Sequence, residues 1–246
     1  MNRAVLLDIA DGIATITLNR PDAANAIDPD LAAGFRAAVT RLSDGNLPRV
    51  IVLTAAGRIF CGGGDVRRMA SATDRARYLA ELAGTMHEAL AALRALPVPV
   101  VASVPGTVAG AGLGLVLAAD VVVAVETARF VSAYSAIGLS PDCGVTALLP
   151  ATIGPRRAAE LILRNRRLDA ATALDWGLVS EVCAPGDLAG RTTAIATDIA
   201  ALPGTAAGES ARLLRQPYHS QLADEARTIS RLGELPAADA LIRAFS

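Results

Sequence analysis

Three segments marked by glycine and proline carry residue types that could do chemistry. The first is Phe60-Cys61-Gly62-Gly63-Gly64-Asp65-Val66, just after an apolar run. Its glycines permit a tight turn and a close approach of a ligand to the backbone. Asp65 can cap a following helix, and the N–H of Gly64 would then point outward beside the helix start. An ordinary strand-to-helix turn has the same composition. The second runs from Pro105 to Leu115 and contains Gly110-Ala111-Gly112-Leu113-Gly114. Small residues opening a helix leave free N–H groups at the positive end of its dipole, which suits an anion. A dinucleotide loop is disfavoured, because the third glycine comes too early for G-x-G-x-x-G and no N-terminal βαβ unit precedes it. The third, Gly138-Leu139-Ser140-Pro141-Asp142-Cys143-Gly144, places Asp142 in a turn at a helix entrance. There it could be a general base or simply a capping residue.

Other reactive side chains are sparse. His87 falls on a long helix, where a histidine without a role is the plainer reading, and His219 reads as surface. Tyr134 and Trp176 suit packing or a pocket wall. Cys61, Cys143 and Cys183 are odd in number, far apart and without metal-ligand spacing, as expected in a reducing compartment. A net charge of −1 gives no footprint for nucleic acid or an anionic membrane. No signal peptide is apparent, and Pro97, Pro99, Pro105 and Gly106 interrupt the longest apolar stretch. The expectation is a soluble cytoplasmic protein without a metal.

The elements that must position these segments follow from patterning. Val5–Ile9 and Ile13–Leu18, joined by Asp11-Gly12, read as a hairpin. Asp28-Pro29 starts a helix with the stripe Leu31, Phe35, Val39 and Leu42. Strands are expected at Val50–Leu53, Val98–Val104 and Val121–Val125, a long helix from Asp74 to Leu96, and a short buried one from Gly110 to Ala119. This alternation argues an α/β core with strands buried on both faces. With 52% apolar but only 3% aromatic residues, Ala, Val and Leu must fill it. Beyond about residue 186 helical patterns dominate: Leu188–Leu202, Ala206–Leu214, Gln221–Leu232 and Ala237–Phe245. The division expected is a core over 1–190 and a helical subdomain over 191–246.

Taken together and in order, the segments resemble the crotonase (enoyl-CoA hydratase/isomerase) superfamily. Leu18-Asn19-Arg20-Pro21-Asp22 with Asn25-Ala26 resembles its N-terminal signature, Phe60 to Asp65 its F-x-x-G-x-D loop, and Gly106 to Gly112 with Ala118-Ala119-Asp120 its glycine helix. Arg167-Leu168-Asp169-Ala170 and Ala173 to Val182 resemble the next signature. The resemblance implies a crotonase-like spiral of ββα turns, a homotrimer or dimer of trimers, and an acyl-coenzyme A substrate with no further cofactor. It assigns the oxyanion donors to the N–H groups of Gly64 and Ala111. Coenzyme A would be met by Arg20, Ala24 and Ala26, and the rest of the substrate by Gly62, Gly63, Asp65, Gly110, Tyr134 and His87.

The sequence departs from the family's hydratases. Their two glutamates map onto Gly114 and Tyr134, neither of which is a general base. Asp142 stands at the offset of the aspartate used by isomerase-like members and by the 4-chlorobenzoyl-CoA dehalogenase branch, and His87 at the offset of that branch's base. The resemblance therefore implies an enoyl-CoA isomerase-type enzyme with Asp142 as proton shuttle. Its alternatives are a hydrolase or dehalogenase with Asp142 as nucleophile, a hydratase in the broad sense, and an acyl-CoA binder without catalysis.

Overall fold

The computed structural model describes residues 4–202, 206–215, 226–227 and 229–244. Along the chain run β1 (Val5–Ala10), β2 (Ile13–Leu18), α1 (Pro29–Asp44), β3 (Val50–Ala55), β4 (Ile59–Cys61), α2 (Val66–Ser71) and α3 (Arg75–Ala95). They are followed by β5 (Val100–Val104), β6 (Thr107–Ala109), α4 (Gly112–Leu117), β7 (Val121–Val125), β8 (Arg129–Val131), α5 (Val145–Ile153) and α6 (Pro155–Leu163). Then come β9 (Arg167–Asp169), α7 (Ala170–Asp175), β10 (Glu181–Cys183), α8 (Leu188–Ala201), α9 (Ala206–Leu214) and α10 (Pro236–Ala244).

The chain starts as its pattern dictates. β1 and β2 pair antiparallel across Asp11-Gly12, whose φ angles of 51° and 76° suit a two-residue hairpin turn. Asp28 accepts the N–H of Leu31 at 2.9 Å while Pro29 takes the first helical position of α1. A six-stranded sheet follows in the order β1-β2-β3-β5-β7-β10, parallel from β2 onward. Side-chain parity divides its two faces. Ile51, Leu53, Val100 and Ala102 join the main core with α1 and α3, whereas Val50, Val52 and Val101 meet Ala196 of α8 on the other side. β5 begins at Val100, two residues later than expected; Pro99 contributes its carbonyl to the N–H of Ile51 but has no N–H of its own to give.

A second sheet, β4-β6-β8-β9, is built from strands of three residues each, and only β8 and β9 pair antiparallel. Such strands are too short to show a period, so the sequence gives no warning of this sheet. Beyond Cys183 the described residues contain helices and turns but no strand. α8 covers the first sheet, with Thr192 donating to Ser103 at 2.8 Å. Of the helix expected over Gln221–Leu232, residues 226–227 and 229–232 are described and helical; the others, with His219, lie outside the described residues.

Arg215 fixes the chain after α9 to the core. Its guanidinium is buried, pairs closely with Asp120, and donates to the carbonyls of Leu96 at 3.2 Å and Val98 at 2.9 Å. Asp120 in turn accepts the N–H of Val100 at 2.7 Å. α10 rests near the turn at Ser135–Ile137, where a β-carbon on Gly138 would stand 3.0 Å from the Ala238 α-carbon.

Candidate active site

The site is assembled from main-chain loops stitched to one another. Asn25, fully buried at φ 50°, donates its amide to the carbonyls of Ala56 (2.9 Å) and Ile59 (2.7 Å) and accepts the N–H of Arg20 (2.7 Å). Gly62 donates to the Ala24 carbonyl at 2.9 Å, Ile27 to that of Gly63 at 2.7 Å, and Asp65 to that of Ile27 at 2.9 Å. Asp65 also caps α2 by accepting from Arg68. These bonds hold the glycine loop in place yet leave the Gly64 N–H without an acceptor among the described residues.

The second loop lies against the first, backbone on backbone. At Gly63, φ 92°, a β-carbon would stand 3.1 Å from the Ala109 carbonyl and 3.4 Å from the Gly110 α-carbon, so only glycine allows the approach. Gly110 donates to Val131, and the next N–H, that of Ala111, also has no acceptor among the described residues. Both open N–H groups belong to residues lining one cavity of about 440 Å³. N–H groups away from water are otherwise nearly always paired, and two open ones on one cavity have the chemistry to donate hydrogen bonds to a developing oxyanion.

The remaining wall is mostly aliphatic, with Leu79, Leu82, Ala83 and Met86 of α3 on one side. Asp142 is the one carboxylate on it among the described residues, and it is 7% exposed. Asp142 does not cap α5: that helix opens at Gly144, φ 77°, with no side-chain cap. The Asp142 carboxylate instead accepts the hydroxyl of Tyr134. Burial, helped by the Asp142 charge, pushes the Tyr134 phenol well above its ordinary value, so it stays protonated and donates.

His87 stands behind this pair rather than on the cavity wall. It is 7% exposed, and its Nε2 accepts the Cys143 N–H at 3.0 Å, which puts its own proton on Nδ1. Burial pulls its pKa below 6.5 against a smaller opposing effect of Asp142, so the ring is neutral. His87, Asp142 and Cys143 bring ligand-type atoms within 4.8 Å of one another, as a metal would need. Hydrogen bonds to Tyr134 and to the Cys143 N–H already engage the carboxylate and the imidazole Nε2.

Gly114 lies beneath Cys143. A β-carbon there would stand 2.6 Å from the Cys143 β-carbon, closer than packed side chains come, so the position admits no side chain as the loop stands. Cys61 is fully buried, and that burial pushes its thiol up to about 12.

Of the residues expected at the site, Gly62, Gly63, Gly64, Gly110, Ala111, Tyr134 and Asp142 line the cavity. Arg20, Ala24, Ala26, Asp65 and His87 do not. The Arg20 guanidinium is spent inward, on the Ala26 carbonyl, Asp28 at 3.1 Å and Asp65 at 3.2 Å. Sequence reasoning missed the fastening by Asn25, for which an asparagine in a turn was the available signal. It also missed Asn165 and Arg167 on the wall, although Arg167 opens the segment Arg167-Leu168-Asp169-Ala170.

The enoyl-CoA hydratase/isomerase family model matches residues 8–235. The chain is 35% identical over 222 residues to a 1,2-epoxyphenylacetyl-CoA isomerase of Escherichia coli K12, covering 89% of this chain and 83% of that one. It is 33% identical over 201 residues to a 4-chlorobenzoyl coenzyme A dehalogenase of an Arthrobacter species, covering 81% and 73%. The crystal structure of an enoyl-CoA hydratase from Mycobacterium avium subsp. paratuberculosis K-10 superposes with a TM-score of 0.89 over 98% of both chains, at 29% identity.

Proposed function

The chain belongs to the enoyl-CoA hydratase/isomerase family, the crotonase fold, and on that premise we propose that it isomerises an enoyl thioester with Asp142 as the proton shuttle. The observation that carries this reading is the single carboxylate of the described cavity wall, set in the same cavity as the open N–H groups of Gly64 and Ala111. The thioester oxygen sits between those two N–H groups. Asp142 takes a proton from one carbon of the acyl chain, the electron pair moves onto the thioester oxygen as a dienolate, and the same carboxylic acid returns the proton to a second carbon. The donors act where charge develops and need no rearrangement. Tyr134 holds the carboxylate in place throughout.

Hydration needs a second group to activate water, and Gly114 and Tyr134 offer none. Nucleophilic attack by Asp142 needs His87 to activate water afterwards, but the Nε2 lone pair is committed to the Cys143 N–H. His87 is therefore a positioning residue for the loop that carries Asp142.

The test is Asp142→Asn, which keeps the size and removes the base. Isomerisation of an enoyl-CoA should fall by about 100- to 10,000-fold with thioester binding intact. The native enzyme should place solvent deuterium in its product. Full activity of the variant, or an ester trapped on Asp142, would refute the shuttle.

A further inference from the structure

Arg167 and Asn165 lie on the cavity wall and have no part in the proton transfer. Their place follows from the second sheet. Gly64 comes just after β4, Ala111 just after β6, and Arg167 opens β9, two strands further on. The register runs from Ala109 to Val131 to Arg167, which at about 4.8 Å per strand sets Arg167 about 10 Å across the sheet from Ala109. The Arg20–Ala26 loop is stitched to the opposite side, through the Gly62 N–H on the Ala24 carbonyl. A thioester whose carrier lies over that loop thus runs its acyl chain toward Arg167.

The groups waiting there are donors without acceptors. Asn165, half-buried at φ 49°, uses its Oδ1 to accept the Ala133 N–H at 2.8 Å, and its amide N–H₂ has no acceptor among the described residues. Arg167, exposed on β9, has no ion pair or side-chain hydrogen bond among them either, although Arg157, Arg164 and Arg166 do. Arg164 and Arg166 share Glu160, at 3.1 and 2.9 Å, and Arg157 faces Asp175 at 3.7 Å. The acids nearby are taken, and the same cavity is lined by aliphatic side chains such as Ile137 and Leu139.

Resting on the thioester site of the proposed function for the direction of the substrate, we propose that the acyl group ends in a carboxylate received by Arg167, with the Asn165 amide as a second donor. The substrate class is an ω-carboxyacyl thioester: an aliphatic chain over the α3 side chains, a thioester carbonyl at Gly64 and Ala111, and an anionic end at β9. A planar guanidinium is suited to a carboxylate, offering two parallel N–H donors.

The test uses saturated acyl-CoA thioesters, which bind without reacting, in pairs of equal length ending in methyl or carboxylate. Calorimetry should show the native protein preferring the carboxylate-ended member by about 10- to 100-fold, as one charge-assisted pair supplies. Arg167→Gln should lose that preference, keep its affinity for the methyl-ended member within about twofold, and be partly rescued by Arg167→Lys. The same pairs on N-acetylcysteamine separate the two sources of an anion. An Arg167→Gln loss equal for both tails on coenzyme A, and absent on the truncated carrier, would assign the guanidinium to a carrier phosphate and overturn the proposal. So would equal affinity for both tails, or no binding of either. Because binding is read without turnover, a tail preference that survives alongside absent isomerisation would refute the isomerase reading and leave this one standing.

Discussion

Gly114→Ala tests how firmly the catalytic loop is held. The added β-carbon would stand 2.6 Å from the Cys143 β-carbon and 3.1 Å from its carbonyl carbon. Ordinary carbon contacts begin at about 3.5 Å, so Cys143 must retreat by about 0.9 Å. It cannot move alone, since its N–H is bonded to His87 at 3.0 Å and Asp142 precedes it directly. Overpacking of this kind costs about 1–3 kcal/mol, and displacing a catalytic group by about 1 Å costs up to about 100-fold in rate. Urea unfolding and enoyl-CoA isomerisation should therefore report a loss of about 1–3 kcal/mol and a fall of about 10- to 100-fold in kcat. Gly84→Ala is the control: it lies inside α3 with nothing within 4 Å of an added β-carbon, and should stabilise by about 1 kcal/mol without touching activity. If Gly114→Ala matches the native protein in both assays, the loop is free to move and the packing account of Asp142 is wrong. The same clash predicts that Gly114→Glu does not create a hydratase.

Further outcomes follow from other contacts. Arg215→Ala leaves Asp120 and the Leu96 and Val98 carbonyls without their buried partner, and should cost about 3–5 kcal/mol in urea unfolding. His87 is neutral in the fold with its pKa below 6.5, so on acidification the unfolded chain takes up the proton first. Its contribution is complete above about pH 6.5 and is lost as pH falls through that value, at up to about 1.4 kcal/mol per unit. His87→Gln, which can still accept the Cys143 N–H, should flatten that acid limb of the stability curve; an unchanged slope would contradict the account. Light scattering at micromolar concentration should give a trimer or a multiple of one, because α9 leaves Leu213 and Leu214 61% and 83% exposed. A monomer mass would refute it.

The hairpin, the Asp28-Pro29 helix start and α3 were legible because each rests on local chemistry: a turn dipeptide, a cap, a long apolar stripe. The glycine loops were legible as loops, and their order along the chain pointed to the family. What they hold was not. The role of Asn25 depends on the carbonyls of Ala56 and Ile59, more than thirty residues away. Asp142 looks like a cap in its own segment; only the arrival of Tyr134 and the position of Gly144 as the capping residue of α5 show otherwise. Arg20 shows the reverse: a cation in a recognisable motif whose charge is turned inward. Arg167 is one of four residues in the run Arg164-Asn165-Arg166-Arg167, and nothing local distinguishes it from the two arginines that pair with Glu160.

The Arg215 contact has a consequence for how the chain is made. Its partner Asp120 is 95 residues earlier, and the carbonyls it binds are still further back, at separations of 117 to 121. A ribosome adding about 5–20 residues per second leaves Asp120 waiting about 5–20 seconds for its guanidinium. During that interval the nascent sheet carries a carboxylate that the finished molecule neutralises, at a joint between β5 and β7. A chain cut before residue 215 contains the sequence of every strand of both sheets but lacks the cation that Asp120 meets.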